Sequence, residues 1–524
     1  MILQSNSHFT EQAVRLALLG LPYILSVTVV FLFWRLFVLR DAKSGRPKHL
    51  REPPGPFALP IIGNIHQLGS EPHTAFVDLA KRFGDVMKIR IGSRPVIVLH
   101  GKQAIHQALV RQSVDFAGRP DFFGFRTTIS LGGGSLAFSN YDEAWKLHRK
   151  LADNALRHFT SGRQSVAFER RVTYEATELI KFIMGTNEST VVDLSQILKF
   201  SVSNVIFNLL FESRHGLEDA KLKKVVDGND LFIEEISGSD IADFMPWLSP
   251  FIRHKMKAFE NQVKLFLSFL EDSVKDHIEN YGEGRESDIL YYLMTLLDSM
   301  DSQQREKVTD KRILATVNDF FGAGLETVAT TLSWVFLYAI YYPELQKEIQ
   351  DELDEVVGRD RLPTLADRGK LPLTEAFLAE AARHSSVVPT TIPHMTTRDT
   401  VLEGGFNYFI PKDTVVFVNL YSLQHDPKQW DNPEKFNPRR FLIEDGNGIK
   451  LDVDKVDSMM RFGGGRRRCI GSEVAQMELF LFFTILLHQC DLRNVAGQDL
   501  TLDGKGSLLV IRAYPYKLEI TRRS

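Results

Sequence analysis

The decapeptide FGGGRRRCIG, Phe462 to Gly471, sets one cysteine among four glycines and three arginines. The 524 residues contain only one other cysteine, Cys490. Two thiols cannot make a disulfide framework, and one sulfur with no His or Cys beside it cannot build a zinc site. The next segment, SEVAQMELFLFFTILLHQC, is an apolar helix pattern, so Cys469 lies in a loop just ahead of a helix N-terminus. Backbone N–H groups there, with Arg467 nearby, favour thiolate over thiol. Gly463, Gly464, Gly465 and Gly471 permit a tight turn and let the backbone approach a flat ligand. Such a thiolate suits a nucleophile or a metal ligand.

A lone free cysteine is more often an inert buried thiol, and only its loop sets this one apart. A single thiolate can also be the axial ligand of haem iron, where it favours O–O cleavage. Phe462, Gly465, Arg467, Cys469 and Gly471 match the signature F-x-x-G-x-R-x-C-x-G. The sequence thereby resembles the cytochromes P-450, the haem-thiolate monooxygenases. That resemblance implies haem b held by Cys469, with Phe462 and Gly471 against the cofactor.

Further segments extend the match. In EAAR, Glu380 and Arg383 are three residues apart on one helical face and can pair. The family's E-x-x-R meets an arginine from a later P-x-R-F segment, here Arg440 of PRRF. The resemblance implies a buried structural network behind the haem. In FFGAGLETVATTLSW, Gly322 and Gly324 each weaken a helix by about 1 kcal/mol relative to Ala. Small residues there would also suit close packing of another helix. Ala323, Gly324, Glu326 and Thr327 meet the family pattern [AG]-G-x-[DE]-T. The resemblance implies a helix opened over the distal haem face, with Glu326 and Thr327 relaying protons to bound dioxygen.

Trp145 and Arg149 in WKLHR share a helical face. With Arg119, His394 and Arg467 they match the family's haem-propionate contacts, a set suited to one dianionic ligand. The segments GRPDFFGF, VVPTTIPHMTTRDT, IPKDTVVFVN and LLHQCDLR look like family 1, the animal microsomal aryl-hydrocarbon and oestrogen hydroxylases. TTISLGGGSLAF looks longer than its counterpart there, so the pocket roof is expected to differ. By the same resemblance Phe138, Asn229, Phe232, Asp319, Gly322 and Ala323 line a flat slot. Planar aromatics stacked on Phe rings are the expected cargo, although among 37 Phe any one is ordinarily core.

Positioning these residues requires a mainly α body with small β-sheets, the cytochrome P450 fold that the resemblance implies. Apolar residues make up 44% and charged residues 25% of the chain, ordinary for a globular protein. The net charge of -3 gives no sign of nucleic-acid binding. Leu16 to Trp34 carries no charge over nineteen residues, about a bilayer span. Arg35, Arg40, Lys43, Arg46, Lys48 and Arg51 follow it, which holds the rest on the cytosolic side. A cleaved signal is the rival, but no small-residue cleavage site follows. The expected division is an anchor at 1–50, a proline-rich connector at 51–64 and a catalytic domain at 65–524. Residues 85–101 read as a hairpin turning at Gly92 and Ser93, 102–354 as mostly helical, and strands return near 400–422 and at the C-terminus.

The reading is then an unspecific monooxygenase on the endoplasmic reticulum membrane, single-pass, catalytic domain toward the cytosol. It inserts one atom of O2 into a hydrophobic planar aromatic, a polycyclic hydrocarbon, oestrogen or similar compound. No nicotinamide or flavin fingerprint is present, so electrons from NADPH come through a separate flavoprotein reductase, with cytochrome b5 as a further donor. The reductase is expected on the basic surface of Lys146, Lys150, Arg466 and Arg468. The alternatives are a steroid or fatty-acid hydroxylase of a neighbouring family, a haem-thiolate isomerase or peroxygenase, and a non-enzymatic haem carrier or sensor.

Overall fold

The computed structural model describes residues 21–23, 25–29, 31, 50–237, 241–279, 288–308, 310–446, 448–506 and 508–523. Its longer helices are α1 (Pro72–Phe83), α2 (Phe123–Gly132), α3 (Glu143–Thr160), α4 (Gly162–Met184), α5 (Leu194–Phe211) and α6 (Ala220–Ser237). They continue with α7 (Arg253–Glu279), α8 (Ile289–Asp298), α9 (Asp310–Tyr341), α10 (Pro343–Val356), α11 (Pro372–Ser385) and α12 (Ser472–Gln489).

Local chemistry sets many of these boundaries. Asp142 caps α3 by accepting from the Trp145 N–H at 2.6 Å, and Asp193 caps α5 through Ser195 N–H. Pro343 and Pro372 open α10 and α11, where the missing N–H costs nothing.

One core joins α4, α5, α9 and α12. At about 48 Å, α9 crosses the whole body. α5 and residues 311–341 are apolar and long enough to cross a membrane, yet both are mostly buried among other helices and form this core. Gly324 is where α5 presses closest. A Cβ there would lie 2.9 Å from Ile206 Cδ1, so a larger residue would make that side chain shift.

A four-stranded sheet flanks the helices in the order Val86–Ile91, Arg94–Leu99, Val415–Val418, His394–Met395. Its first pair is the expected hairpin, and its second pair is parallel. Residues 51–64 touch two sheets. Lys88 N–H of this one donates to the Pro54 carbonyl at 2.8 Å, and Phe409 N–H, of the two-stranded sheet Thr400–Leu402 with Tyr408–Ile410, donates to that of Arg51 at 2.8 Å.

The mostly helical stretch also contains a short strand, Ser189–Val192, which completes a sheet with Cys490–Asn494 and Leu518–Arg522. Four residues are too few to show a period. The strands expected at the C-terminus include Ile511–Ala513 and Leu518–Arg522, with Pro515 in the gap, where it has no N–H for a ladder. The anchor expected at Leu16–Trp34 lies largely outside the described residues. Those within it, 21–23, 25–29 and 31, are helical and exposed.

Candidate functional site

The cysteine loop is closed by Cys469 N–H donating to the Phe462 carbonyl at 2.9 Å. Gly465 must be glycine: its φ is +62°, and a Cβ would stand 1.6 Å from the Leu109 carbonyl oxygen. The glycine thus seats the loop on the segment Gln107–Arg111. Gly463, with φ +69° and nothing within 4 Å of a Cβ, is the one with open space beside it.

Cys469 has exposed surface although protein surrounds it on nearly all sides. Burial pushes its thiol up, while the Gly471 N–H and the Arg149 and Arg468 guanidinium groups pull it down. The expected cation, Arg467, is turned to other work. It donates to the carbonyls of Ala117 at 2.8 Å, Leu136 at 3.1 Å and Ser139 at 2.8 Å, and stacks 3.9 Å over the Trp145 ring. Cys490 is a buried free thiol.

Arg467 belongs to a cationic cluster. Arg119 donates to the carbonyls of Ala137, Ile392 and Pro393. His394 donates from Nδ1 to the Phe116 carbonyl at 2.7 Å, and Arg149 donates to the Arg468 carbonyl. The Trp145 indole N–H is already taken by the Leu136 carbonyl at 3.0 Å. Among the described residues none of Arg119, Arg149 and Arg467 forms an ion pair with a carboxylate. Burial and mutual repulsion push Arg119 down to about 9 and Arg467 to about 7, and burial beside both drives His394 well below the usual imidazole range. Gathered, buried cations without anions fit a dianionic ligand, and haem propionates supply that charge.

On α9 the helix runs unbroken, against the expected opening. Thr327 and Thr331 return their hydroxyls to the carbonyls of Ala323 and Thr327, at 2.8 and 2.7 Å, so the backbone ladder persists. Ala323 is exposed between buried Phe321 and Leu325, and room at this face comes from the small side chains.

Glu326 is buried and turned into a charged network that the sequence reading missed. Its Oε1 accepts from Arg512 Nε at 2.7 Å and from Thr330 at 3.1 Å, while Oε2 is buried without a partner. Arg512 also reaches Asp230 at 3.4 Å, and Asp230 takes Lys199 at 2.6 Å. A signal existed for this, because Lys199 interrupts an otherwise apolar helix and a buried lysine needs an anion. Glu326 and Thr327 are sequence neighbours with separate partners.

Glu380, Arg383 and Arg440 do meet. Arg383 grips both Glu380 oxygens at 2.7 and 2.9 Å, Arg440 Nε adds 3.1 Å, and the Asn437 N–H adds 2.8 Å.

The aromatic side is continuous. Phe138 stacks on Phe125 with centroids 4.7 Å apart and lies 6.4 Å from Phe232, which stacks on Phe259 at 5.7 Å. Asn229 is buried with both amide atoms unpartnered, and its Oδ1 lies 3.5 Å from where a Cβ on Gly322 would be. Asp319 faces the turn before Phe138, where it accepts from Ser135 Oγ at 2.8 Å and from the Leu136 N–H. It is therefore committed to the backbone of the roof.

Comparison with known proteins agrees with this geometry. The family model described as Cytochrome P450 matches residues 53–520. The chain is 41% identical to cytochrome P450 1A5 of Gallus gallus over 485 residues, 90% of each protein. It is 40% identical to cytochrome P450 1A1 of Chelon auratus over 92% of each, and 40% identical to cytochrome P450 1B1 of Homo sapiens over 91% of this chain and 89% of the relative. With the thiol loop, the cationic cluster and the match all spanning the same body, the chain belongs to the cytochrome P450 family of haem-thiolate monooxygenases.

Proposed function

We propose that the chain hydroxylates flat aromatic compounds, polycyclic hydrocarbons or oestrogen-like steroids, at a membrane surface, with electrons delivered by a separate NADPH-dependent flavoprotein reductase. The carrying observation is the continuous ring set Phe125, Phe138, Phe232 and Phe259, with Asn229, on the same helix as Phe232, against Gly322 of α9. Offset rings reward a flat partner beyond simple burial.

Haem, when bound through Cys469, supplies dioxygen activation and one-electron chemistry. The residues of the chain supply the rest. Arg119, Arg149, His394 and Arg467 hold the propionates. Phe138 and Phe232 orient the substrate and exclude water. Asn229, whose amide lacks a partner, offers a hydrogen bond to a polar group on it. Thr327 must release the Ala323 carbonyl before its hydroxyl can pass a proton onward. Glu326 stays fixed by Arg512 through Oε1, leaving Oε2 to accept or return that proton.

Exposed apolar residues support membrane seating. Phe57, Leu59 and Ile61, and farther along the chain Trp247 and Phe251, are exposed. Gly92 N–H bonds the Ile62 carbonyl and Ser93 N–H that of Phe244, which draws the two groups together. Lipid would cover these side chains.

Metabolite analysis with reductase, NADPH, oestradiol and a polycyclic hydrocarbon tests the reading. Hydroxylated products that require the reductase support it. Turnover of fatty acids alone, or peroxide-driven turnover without reductase, contradicts it.

A further inference from the structure

The roof segment Gly132–Ser139 is strung between two anchors. Its carbonyls face the cationic cluster: Leu136 accepts from Arg467 and Trp145, Ala137 from Arg119, and Ser139 from Arg467. Its donors face α9 instead. Ser135 Oγ and the Leu136 N–H donate to the single carboxyl of Asp319, and the nearby Ala137 N–H also favours its charge. Ser135 Oγ in turn accepts the N–H groups of Ala137 and Phe138, each at 3.1 Å.

Gly133 lets the segment lie this low. Its φ is +74°, and a Cβ there would come 2.5 Å from Lys311 Cβ on α9. Asp319 has no cation partner among the described residues, so the donors of this one turn are its only attractive contacts. Burial pushes its carboxyl up to about 7, and those three donors pull in the opposite direction. A buried carboxyl so placed cannot also serve a substrate without giving up the turn.

We propose that Asp319 is a positioning residue: it clamps the Ser135–Phe138 turn onto α9, fixes the height of the Phe138 ring over the small-residue face, and so selects flat substrates over bulky ones. The selectivity part rests on the aromatic-substrate reading above; the clamp itself does not.

The test uses holoenzyme carrying Asp319→Ala, Asp319→Asn and Ser135→Ala, each checked for the reduced carbon-monoxide spectrum. Hydrogen exchange of peptide 133–141 is measured without substrate. Exchange at the Leu136 amide, which bonds Asp319 directly, should quicken at least tenfold in Asp319→Ala and less in Ser135→Ala. Ser135→Ala should add little in the Asp319→Ala background. Soret titration should show the pyrene Kd rising at least fivefold in Asp319→Ala. The Kd for progesterone, with its angular methyl groups, should hold or fall.

Unchanged exchange in Asp319→Ala overturns the clamp, whatever the ligands do. Faster exchange with equal losses for both ligands overturns the selectivity role. If the wild type gives no response to pyrene, the substrate reading fails, and exchange still decides the clamp. Should Asp319→Ala fail to take up haem, the Leu136 amide in Asp319→Asn decides it: faster exchange supports the clamp, and unchanged exchange overturns it.

Discussion

Arg383 and Glu380 face each other through two parallel hydrogen bonds, Nε to Oε2 at 2.7 Å and NH2 to Oε1 at 2.9 Å, with both side chains wholly buried. The remaining Arg383 donors reach the carbonyls of Gln424 and Pro433, each at 2.8 Å. The pair thus ties α11 to two later loops. Glu380→Ala leaves a buried guanidinium without its anion, which costs about 3–5 kcal/mol. Urea unfolding and haem content should both show large losses. Arg440→Ala should cost less, because Glu380 keeps Arg383 and the Asn437 N–H.

Glu326→Gln retains an oxygen for Arg512 but removes the second, unpartnered carboxylate oxygen from proton exchange. Product formation should fall about tenfold to a hundredfold, with NADPH consumed per product rising and the substrate-binding spectrum unchanged. Thr327→Ala should behave alike, and Thr327→Ser should recover much of the rate. A full rate in Thr327→Ala would remove the hydroxyl from the proton path.

The legible and illegible parts of this site differ in sequence range. Cys469, Gly465 and Phe462 sit within eight positions, and Glu380 and Arg383 within four, so short motifs of a familiar family could single them out. Arg512 meets Glu326 across 186 positions, on a strand of three residues, and no local period announces such a pair. Asp319 was read as a pocket residue. It accepts from the Ser135 hydroxyl and the Leu136 N–H, more than 180 positions away, and a backbone donor leaves no mark in a sequence. Residues 102–354 are mostly helical, as their apolar spacing suggests, whereas Ser189–Val192 is too short to show a period.

Lys150, Arg466 and Arg468 are exposed, and Lys146 is half-engaged by Glu143 at 2.6 Å. Replacing Lys150, Arg466 and Arg468 by Glu should slow first-electron transfer from the reductase about tenfold or more at low salt, through lost steering. The effect should shrink as ionic strength rises. Stopped-flow reduction in carbon monoxide reads it directly. An unchanged rate would place the docking face elsewhere.

His148 bonds Thr316 Oγ1 at 2.6 Å from within the α3–α9 contact, and burial pushes it down to about 3. His73 and His425, at about 4 and about 3, share that cause. Between about pH 6.5 and 4 the unfolded chain therefore binds protons that the folded one does not. Stability should be full above the unfolded imidazole range and fall as the pH drops, by about 1.4 kcal/mol per pH unit for each such histidine. Urea midpoints from pH 7 to 5 check the slope, and His148→Gln should flatten it. A midpoint that rises toward acid would contradict the sign.

The reduced, carbon-monoxide-bound spectrum of purified protein addresses the thiolate at Cys469 most directly. The wild type should show the red-shifted Soret band typical of thiolate ligation, and Cys469→Ser should lose it. A wild type without porphyrin, or a red-shifted band that survives in Cys469→Ser, would contradict the assignment of this sulfur to iron.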